Sequence, residues 1–272
     1  MTLSETDPAQ NSMLRSVDLD ALNSATKYPS IPTYHPLDSS NGSLLDEPTA
    51  FADEDAQVVL TEKVDGTNSR IITFPSGEYV IGSREELLYA KGDLLGNPAL
   101  GIAAALRPLA GRLTPPAGGV RVLFLEVYGG KVGGAARQYS GHRTVGHRLF
   151  DAADIPAETL TWPRPRISAW REEGGQAFLG EAELAALADT ETVPLVPRIG
   201  ALESADLPTR LDETREFLTR HLPTTRVALD DEAGGRPEGI VVRTTTRSVI
   251  AKARFQDYER TLKRRASKEK RG

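Results

Sequence analysis

Short apolar runs between polar turns predict the strands of this chain. Val58-Val59-Leu60 leads into a polar stretch at 61–70 and Ile71-Ile72 leads out of it, so we expect two strands that flank a tight loop. A hairpin is expected to follow around Pro75-Ser76-Gly77, with strands at 68–74 and 78–83. The same criteria predict strands at 120–128, 144–151, 239–243 and 248–253.

Helical periodicity and capping residues predict the helices. They are expected at 18–25, at 99–109 behind the capping pair Asn97-Pro98, and at 181–188, 210–222 and 255–268. Pro108 is expected to end or kink the second of these helices. Pro29, Pro32 and Pro36 predict an extended segment at 27–37.

Strands and helices are intermixed without a regular βαβ rhythm, which favours an α+β fold with largely antiparallel sheets. Residues 152–237 yield two helices and little else. We expect a disordered N-terminus at 1–15, one domain at 16–258, and a basic C-terminal helix and tail at 259–272.

Composition removes several classes of function. A chain of 272 residues without cysteine has no disulfide, no thiolate metal site and no cysteine nucleophile. Residues 1–10 resemble neither a secretory signal nor a transit peptide, and no apolar run reaches the length of a membrane span. A soluble, cytoplasmic protein without a membrane partner is the default expectation.

The net charge of −5 conceals an asymmetry along the chain. Residues 1–62 carry eleven acidic and two basic side chains, a net −9, whereas residues 252–272 carry nine basic and three acidic ones, a net +6. The basic end is either a solvated tail or a surface that binds phosphates.

Candidate chemistry centres on Lys63-Val64-Asp65-Gly66 in the predicted loop. A lysine amine attacks phosphorus or carbonyl carbon only when deprotonated, which requires burial or cationic neighbours that depress its pKa. The glycine would allow a sharp turn or a close approach to a bound group. The alternative is a solvated Lys-Asp pair beside an ordinary hairpin glycine.

Four further pieces carry charged residues at the ends or inside of predicted strands. Arg84 ends the hairpin, Glu126 interrupts an apolar strand, and Glu238 begins another. Lys252 and Arg254 are two residues apart on one strand and so share a face. Each piece also has an ordinary structural explanation, as do His142 and His147, which we interpret as structural or surface histidines.

In this order the pieces resemble the covalent nucleotidyltransferases, namely ATP-dependent DNA and RNA ligases and GTP-dependent mRNA capping enzymes. The matching motifs are Lys63 to Gly66, Phe124 to Gly129, Glu238 to Val241 and Lys252 to Arg254. Asn68, at the end of Gly66-Thr67-Asn68, makes the lysine motif most similar to the phage-type RNA ligase 2 group, as does the lead-in at 27–32. The resemblance implies the nucleotidyltransferase fold.

The resemblance also implies an activity: ATP-dependent joining of RNA 3′-OH and 5′-phosphate ends, as in a nicked duplex, through a lysyl-AMP intermediate. It assigns the attack on the α-phosphorus to Lys63, phosphate contacts to Lys252 and Arg254, and Mg²⁺ (or Mn²⁺) binding to Glu238. The remaining roles fall on a larger group. Ribose binding is implied for Glu126, adenine stacking for Phe150, other nucleotide contacts for Glu62, Asp65 and Gly66, and phosphate or RNA contacts for Arg84 and Asn68.

Two departures from the pattern matter. Arg254 stands where phage-type members often have lysine. The sequence also stops soon after this motif, where relatives carry a further domain, so two alternatives stay open: the chain seals strands alone, or a partner protein supplies a C-terminal RNA-binding domain. A capping-type guanylyltransferase and a catalytically inactive nucleotide- or RNA-binding module stay open as alternatives.

Overall fold

The structure is a computed structural model that describes residues 13–48, 50–51, 56–90, 93–96 and 101–270. The helices are α1 (Met13–Ser16), α2 (Leu19–Ala25), α3 (Ile102–Ala110), α4 (Ala136–Tyr139), α5 (Arg164–Glu172), α6 (Glu181–Thr190), α7 (Leu211–His221) and α8 (Phe255–Glu269). The strands are β1 (Gln57–Lys63), β2 (Thr67–Thr73), β3 (Tyr79–Ser83), β4 (Leu87–Ala90), β5 (Asp93–Leu94), β6 (Val120–Gly129), β7 (Val145–Ile155), β8 (Ala177–Phe178), β9 (Arg198–Glu203), β10 (Gly239–Thr244) and β11 (Ile250–Arg254).

The strands form two antiparallel sheets, which confirms the predicted α+β class. One sheet has the order β11-β10-β1-β9, and the other has the order β5-β4-β3-β2-β6-β7-β8. The two strands that flank the lysine loop therefore belong to different sheets. An ordinary hairpin at this loop is wrong, because β1 pairs with β10 and β9 while β2 pairs with β3 and β6.

The seven-stranded sheet is covered by helices on both faces. Ile71 packs in one core cluster with residues of α3 and α6, and its neighbour Ile72 packs in another with residues of α2 and α5. Adjacent side chains of a strand point to opposite faces, so a strand buried on both sides has a continuous apolar sequence. This explains the uninterrupted run at the centre of β6.

The four-stranded sheet is covered on one face by α7 and α8. Val58 and Leu60 of β1 pack there with Ile240 and Val242 of β10 and with Leu218 of α7. The alternate residues of these strands, Lys63 among them, face the opposite side. That side looks across a cleft toward the seven-stranded sheet.

Several boundaries differ from the predicted ones. Strand β7 continues to Ile155, beyond the expected end at 151, because it pairs with β6 along its whole length. Helix α3 begins at Ile102 and contains Pro108 two residues before its end, while Asn97 and Pro98 lie outside the described residues. Met13–Ser16 form a helix, contrary to the expected disorder; the rest of that segment, 1–12, is outside the described residues.

None of the helices within the described ranges is long and apolar enough to cross a membrane.

Candidate active site

A cavity of about 370 Å³ lies between the two sheets. Its wall contains most of the site residues predicted from the sequence, namely Glu62, Lys63, Asp65, Gly66, Asn68, Arg84, Glu126, Phe150 and Lys252. Glu238 and Arg254 are not part of this wall, although both lie close to residues that are. The arrangement brings together strands that are up to about two hundred residues apart in the sequence.

Lys63 and Glu238 form an ion pair at the edge of the cavity. The Nζ atom of Lys63 donates a hydrogen bond of 2.7 Å to Oε2 of Glu238. The pairing of β1 with β10 places Lys63 opposite Gly239, which brings the preceding Glu238 alongside. Burial raises the pKa of Glu238, and the positive charge of Lys63 opposes that shift.

The backbone of the loop after Lys63 is hydrogen-bonded to α4 and to the seven-stranded sheet. The N–H of Asp65 donates to the Tyr139 hydroxyl at 2.6 Å, and the N–H of Gly66 donates to Oε1 of Glu126 at 3.0 Å. A Cβ atom on Gly66 would lie 2.2 Å from the carbonyl oxygen of Val127. Glycine is therefore required at this position because the loop passes directly against β6.

Glu126 faces the cavity from the middle of β6. Burial raises its pKa to about 7, with the negative charges of Glu238 and Asp65 adding to the shift and Lys63 opposing it. Asn68 lies opposite Glu126 in the pairing of β2 with β6. The carboxyl group can therefore donate or accept hydrogen bonds near neutral pH.

Three other cations lie near Lys252 of the cavity wall. Burial lowers the pKa of Lys252, and the positive charges of Arg254, Lys63 and Arg84 lower it further. Lys252 and Arg254 share one face of β11, as predicted. Ala251 and Ala253, on the other face of this strand, are buried in the core. Such a concentration of positive charge suits a polyphosphate.

Aromatic residues form another part of the wall. The rings of Phe150 and Tyr28 meet edge to face with their centroids 5.0 Å apart. The Tyr28 hydroxyl donates to Oδ2 of Asp151 at 2.9 Å, and Nε of Arg247 donates to the same oxygen at 2.7 Å. Arg243 also lies 3.5 Å from Asp151, so this buried carboxylate joins β7 to the hairpin of β10 and β11.

Sequence reasoning missed Asp151, Arg243 and Arg247, and it noted Tyr28 only within the proline-rich lead-in. Asp151 directly follows Phe150, which was the available signal. Arg247 adopts a positive φ of 66° in the turn between β10 and β11, and a sequence pattern does not reveal this conformation for an arginine.

The segment 27–34 passes along the cavity, and we call it the strap. It contacts β7, β11 and Arg84. The strap pairs with β11, where Lys252 donates its N–H to Pro32 and accepts one from Tyr34, both at 2.9 Å. Arg84 donates to the Ser30 hydroxyl at 3.0 Å. The strap covers the edge of β11 and fixes the backbone that carries Lys252.

Glu62 precedes Lys63 in β1, so the two side chains point to opposite faces of the sheet, and Glu62 is 1% exposed. Its carboxylate accepts a short hydrogen bond from the Thr225 hydroxyl and another from the N–H of Arg226 at 2.8 Å. Each oxygen keeps one lone pair. Glu62 therefore contributes to the cavity wall as a residue already anchored to the segment after α7.

Oxygen ligands suitable for Mg²⁺ or Mn²⁺ are present beside Lys63. Glu238 is the nearest. The negative charge of Asp65 raises the pKa of Glu238, and the charge of Glu238 raises the pKa of Glu126, so the three carboxylates lie close together. Hard divalent cations prefer such donors, so the residues present fit this metal.

A separate surface group, His142 with Asp230 and Asp231, has ligand atoms within 4.8 Å of one another. However, Asp230 already accepts hydrogen bonds from Ser140, Gly141 and His142 and serves as a turn cap.

Comparison with known proteins gives a consistent picture. Residues 56–263 match the family model described as RNA ligase. No curated protein matched the chain in a search of such proteins. A Naegleria gruberi RNA ligase variant with ATP and Mn is similar, with a TM-score of 0.51 and 15% identity over 86% of this chain and 63% of that one. An archaeal ATP-dependent RNA ligase has a TM-score of 0.51 and 17% identity over 85% of this chain and 49% of that one. At these identities the structural likeness concerns the fold, and the chain spans only 63% and 49% of these relatives.

Proposed function

Because the chain belongs to the RNA ligase family, we propose that it is an ATP-dependent RNA ligase that works through a lysyl-AMP intermediate on Lys63. The observation that carries the proposal is the position of Lys63, between a carboxylate at 2.7 Å and a cavity whose wall contains both cations and aromatic rings. ATP has the matching chemistry, with a polyphosphate at one end and an aromatic base at the other.

In the first step the unprotonated amine of Lys63 attacks the α-phosphorus of ATP. The N–P bond forms as the bond from the α-phosphorus to the bridging oxygen breaks, and pyrophosphate leaves with that bonding pair. Glu238 accepts a hydrogen bond from the Lys63 ammonium and is placed to take its proton. Lys252 and Arg254 bind the phosphates and neutralise the charge of the leaving group.

In the later steps the lysine is the leaving group. An oxygen of the RNA 5′-phosphate attacks the AMP phosphorus, the N–P bond breaks, and Lys63 regains a proton. The RNA 3′-hydroxyl then displaces AMP and forms the phosphodiester bond. Arg84 and Asn68, at the cavity wall, would contact this strand, and Arg84 is the more exposed of the two.

The nucleoside would lie in the part of the cavity lined by Phe150 and Glu126. Phe150 offers a ring for stacking on adenine, and Glu126 would hydrogen-bond the ribose hydroxyls. Glu62, Asp65 and Gly66 complete the nucleotide contacts, with Gly66 allowing the loop its close path. A bound Mg²⁺ or Mn²⁺ at Glu238 would supply charge neutralisation for the phosphates.

Finer statements belong to the same proposal. We place the chain in the phage-type RNA ligase 2 group on the strength of Gly66-Thr67-Asn68, and we take 16–258 as the adenylation domain. Its substrate would be a nicked RNA duplex, and a partner protein would contribute further RNA contacts. A cytoplasmic location stays a prediction from the sequence.

The test is covalent labelling of the protein with [α-³²P]ATP and Mg²⁺, followed by a denaturing gel. We expect a labelled band that disappears in Lys63→Ala and in Lys63→Arg, because a guanidinium does not deprotonate at usable pH. Lys131→Ala, at an exposed turn lysine, is the control and should label normally. Label on Lys63→Ala would refute the assignment, and label from GTP in place of ATP would indicate a capping enzyme.

A further inference from the structure

Asp257, in the first turn of α8, holds one of the proposed phosphate-binding residues. Its side chain is 1% exposed, and its Oδ2 accepts a hydrogen bond of 2.7 Å from Nε of Arg254. Its Oδ1 accepts a second bond of 2.8 Å from Arg260. The carboxylate is therefore buried between two arginines, one from each side of the helix start.

Because Arg254 bonds Asp257 through Nε, its other N–H donors stay available for a ligand. A guanidinium has five N–H donors in one plane, and the bond through Nε occupies only one of them. Within the described part of the chain, the two terminal nitrogens of Arg254 make no hydrogen bond, and its side chain is 25% exposed. These nitrogens carry four of the five donors and are free to bind an anion in two-pronged fashion.

Arg254 also lies close to other charged groups. Its positive charge lowers the pKa of Lys252, and it also acts to lower the pKa of Glu238, which lies beside Lys63. An arginine without an anchor would lose rotamer freedom on binding phosphate and would be repelled by Lys252. A buried carboxylate on Nε removes part of both costs before the ligand arrives.

We infer that Asp257 is a positioning residue for the ligation site, which orients the guanidinium of Arg254 toward the phosphates of the nucleotide. The inference rests on the proposed function, since it takes Arg254 as a phosphate contact. Asp257 itself does not touch the nucleotide and acts through Arg254.

A double-mutant cycle tests this coupling in the adenylylation reaction. Asp257→Asn keeps the size of the side chain but removes the charge, and we expect kcat/KM for ATP to fall roughly tenfold, as for the loss of a hydrogen bond to a charged group. In an Arg254→Lys background the same change should alter kcat/KM by less than about twofold, because Lys has no Nε–H to orient. Equal losses in both backgrounds would overturn the inference.

Arg260→Met is the matched control. It removes the other partner of the same carboxylate without touching Arg254, so we expect kcat/KM within about twofold of the unchanged protein. A loss as large as that of Asp257→Asn would show a merely structural role and overturn the inference. Melting curves check that each variant is folded, and if Asp257→Asn does not fold, Asp257→Glu, with the carboxylate displaced by one methylene, enters the same cycle. Absence of an adduct on the unchanged protein would refute the proposed function and this inference with it.

Discussion

At the scale of single residues, two carboxylates beside Lys63 have different electrostatic situations. Glu238 accepts a hydrogen bond from the ammonium of Lys63, whereas Glu126 accepts one from the backbone of Gly66 and has its pKa raised to about 7. The first is tied to the attacking group and the second to the loop that follows it. This difference supports separate roles in metal binding and ribose binding.

Substitution of each acid by alanine should separate these roles. Glu238→Ala should abolish adenylylation, through loss of metal binding and of the group that accepts the Lys63 proton. Glu126→Ala should first raise KM for ATP, by about tenfold if one hydrogen-bonding group is lost. The measurement is the rate of adduct formation over a matrix of ATP and Mg²⁺ concentrations. Rescue of Glu126→Ala by extra Mg²⁺, with Glu238→Ala unresponsive, would mean that the roles are reversed.

Which site residues were accessible from the sequence depends on how far apart their partners lie. Lys63, Glu126 and Lys252 were found because each belongs to a short motif with its own local pattern, although their roles remain predictions. Tyr28 and Asp151 were missed because their contact spans 123 residues, and no local pattern encodes it. Asp257 was missed because an acid in the first turn of a helix is ordinary.

At the scale of elements, the strap links the cavity to the start of α8. Beyond its contacts with Lys252 and Arg84, the chain continues to His35, which is fully buried. The imidazole lies 2.8 Å from the Tyr258 hydroxyl through Nδ1 and 2.9 Å from the carbonyl oxygen of Thr209 through Nε2. Tyr258 belongs to α8, the helix that carries Asp257, so this contact fixes the helix beside β11.

This contact predicts a pH dependence of stability. Burial lowers the pKa of His35 below its ordinary value near 6.5, and the charge of Arg265 adds to the shift while Asp46 and the Thr209 carbonyl oppose it. A histidine with a depressed folded-state pKa contributes stability that is present above the unfolded-state pKa and is lost as pH falls through the folded-state value. We therefore expect the free energy of unfolding to decline as pH drops below about 6.5.

Urea unfolding between pH 5 and pH 8 measures this effect. His35→Gln removes the titrating group and keeps a hydrogen-bonding side chain, so its pH profile should be flatter than that of the unchanged protein in this window. His142→Gln, at an exposed histidine, is the control and should keep the original profile. Identical profiles for His35→Gln and the unchanged protein would contradict the prediction.

The elements themselves were predictable where a periodic pattern was uninterrupted. The apolar run of β6 and the amphipathic pattern of α7 gave the right element within one residue at each end. Strand β9 was missed because its burial alternates only weakly, and its place beside β1 is a tertiary fact. For the same reason the sequence did not show that β1 and β2 diverge into two sheets.

At the scale of the whole molecule, the basic end of the chain is partly folded into the structure. Arg260, Arg264 and Arg265 of α8 donate hydrogen bonds to the loop at 41–46, including the carbonyl oxygens of Gly42 and Asn41. Arg265 also pairs closely with Asp46. These three arginines hold the acidic N-terminal region against α8, so they contribute less to an RNA surface than the net charge of the segment implies.

Apart from Lys263, the cations that remain lie toward the C-terminus. The side chains of Lys268 and Lys270 are exposed, and Arg271 lies outside the described ranges. Deletion of residues 266–272 removes these three cations together with Glu269 and keeps the three arginines that bind the loop. If the end of α8 binds the RNA backbone, the deletion should weaken RNA binding and leave self-adenylylation intact.

Counterion release sets the size of the expected change. Each lost phosphate contact reduces the slope of log affinity against log salt by roughly 0.7 to 0.9, so three lost contacts reduce it by at most about 2 to 3. The measurement is RNA binding by the full chain and the truncated chain across a salt titration. A full-length variant with Lys268→Gln, Lys270→Gln and Arg271→Gln keeps the length of the helix and should reproduce the shallower slope. Equal slopes for all three proteins would assign the end of the chain to solvated charge, and RNA contacts would then fall to Arg84 and the cavity rim.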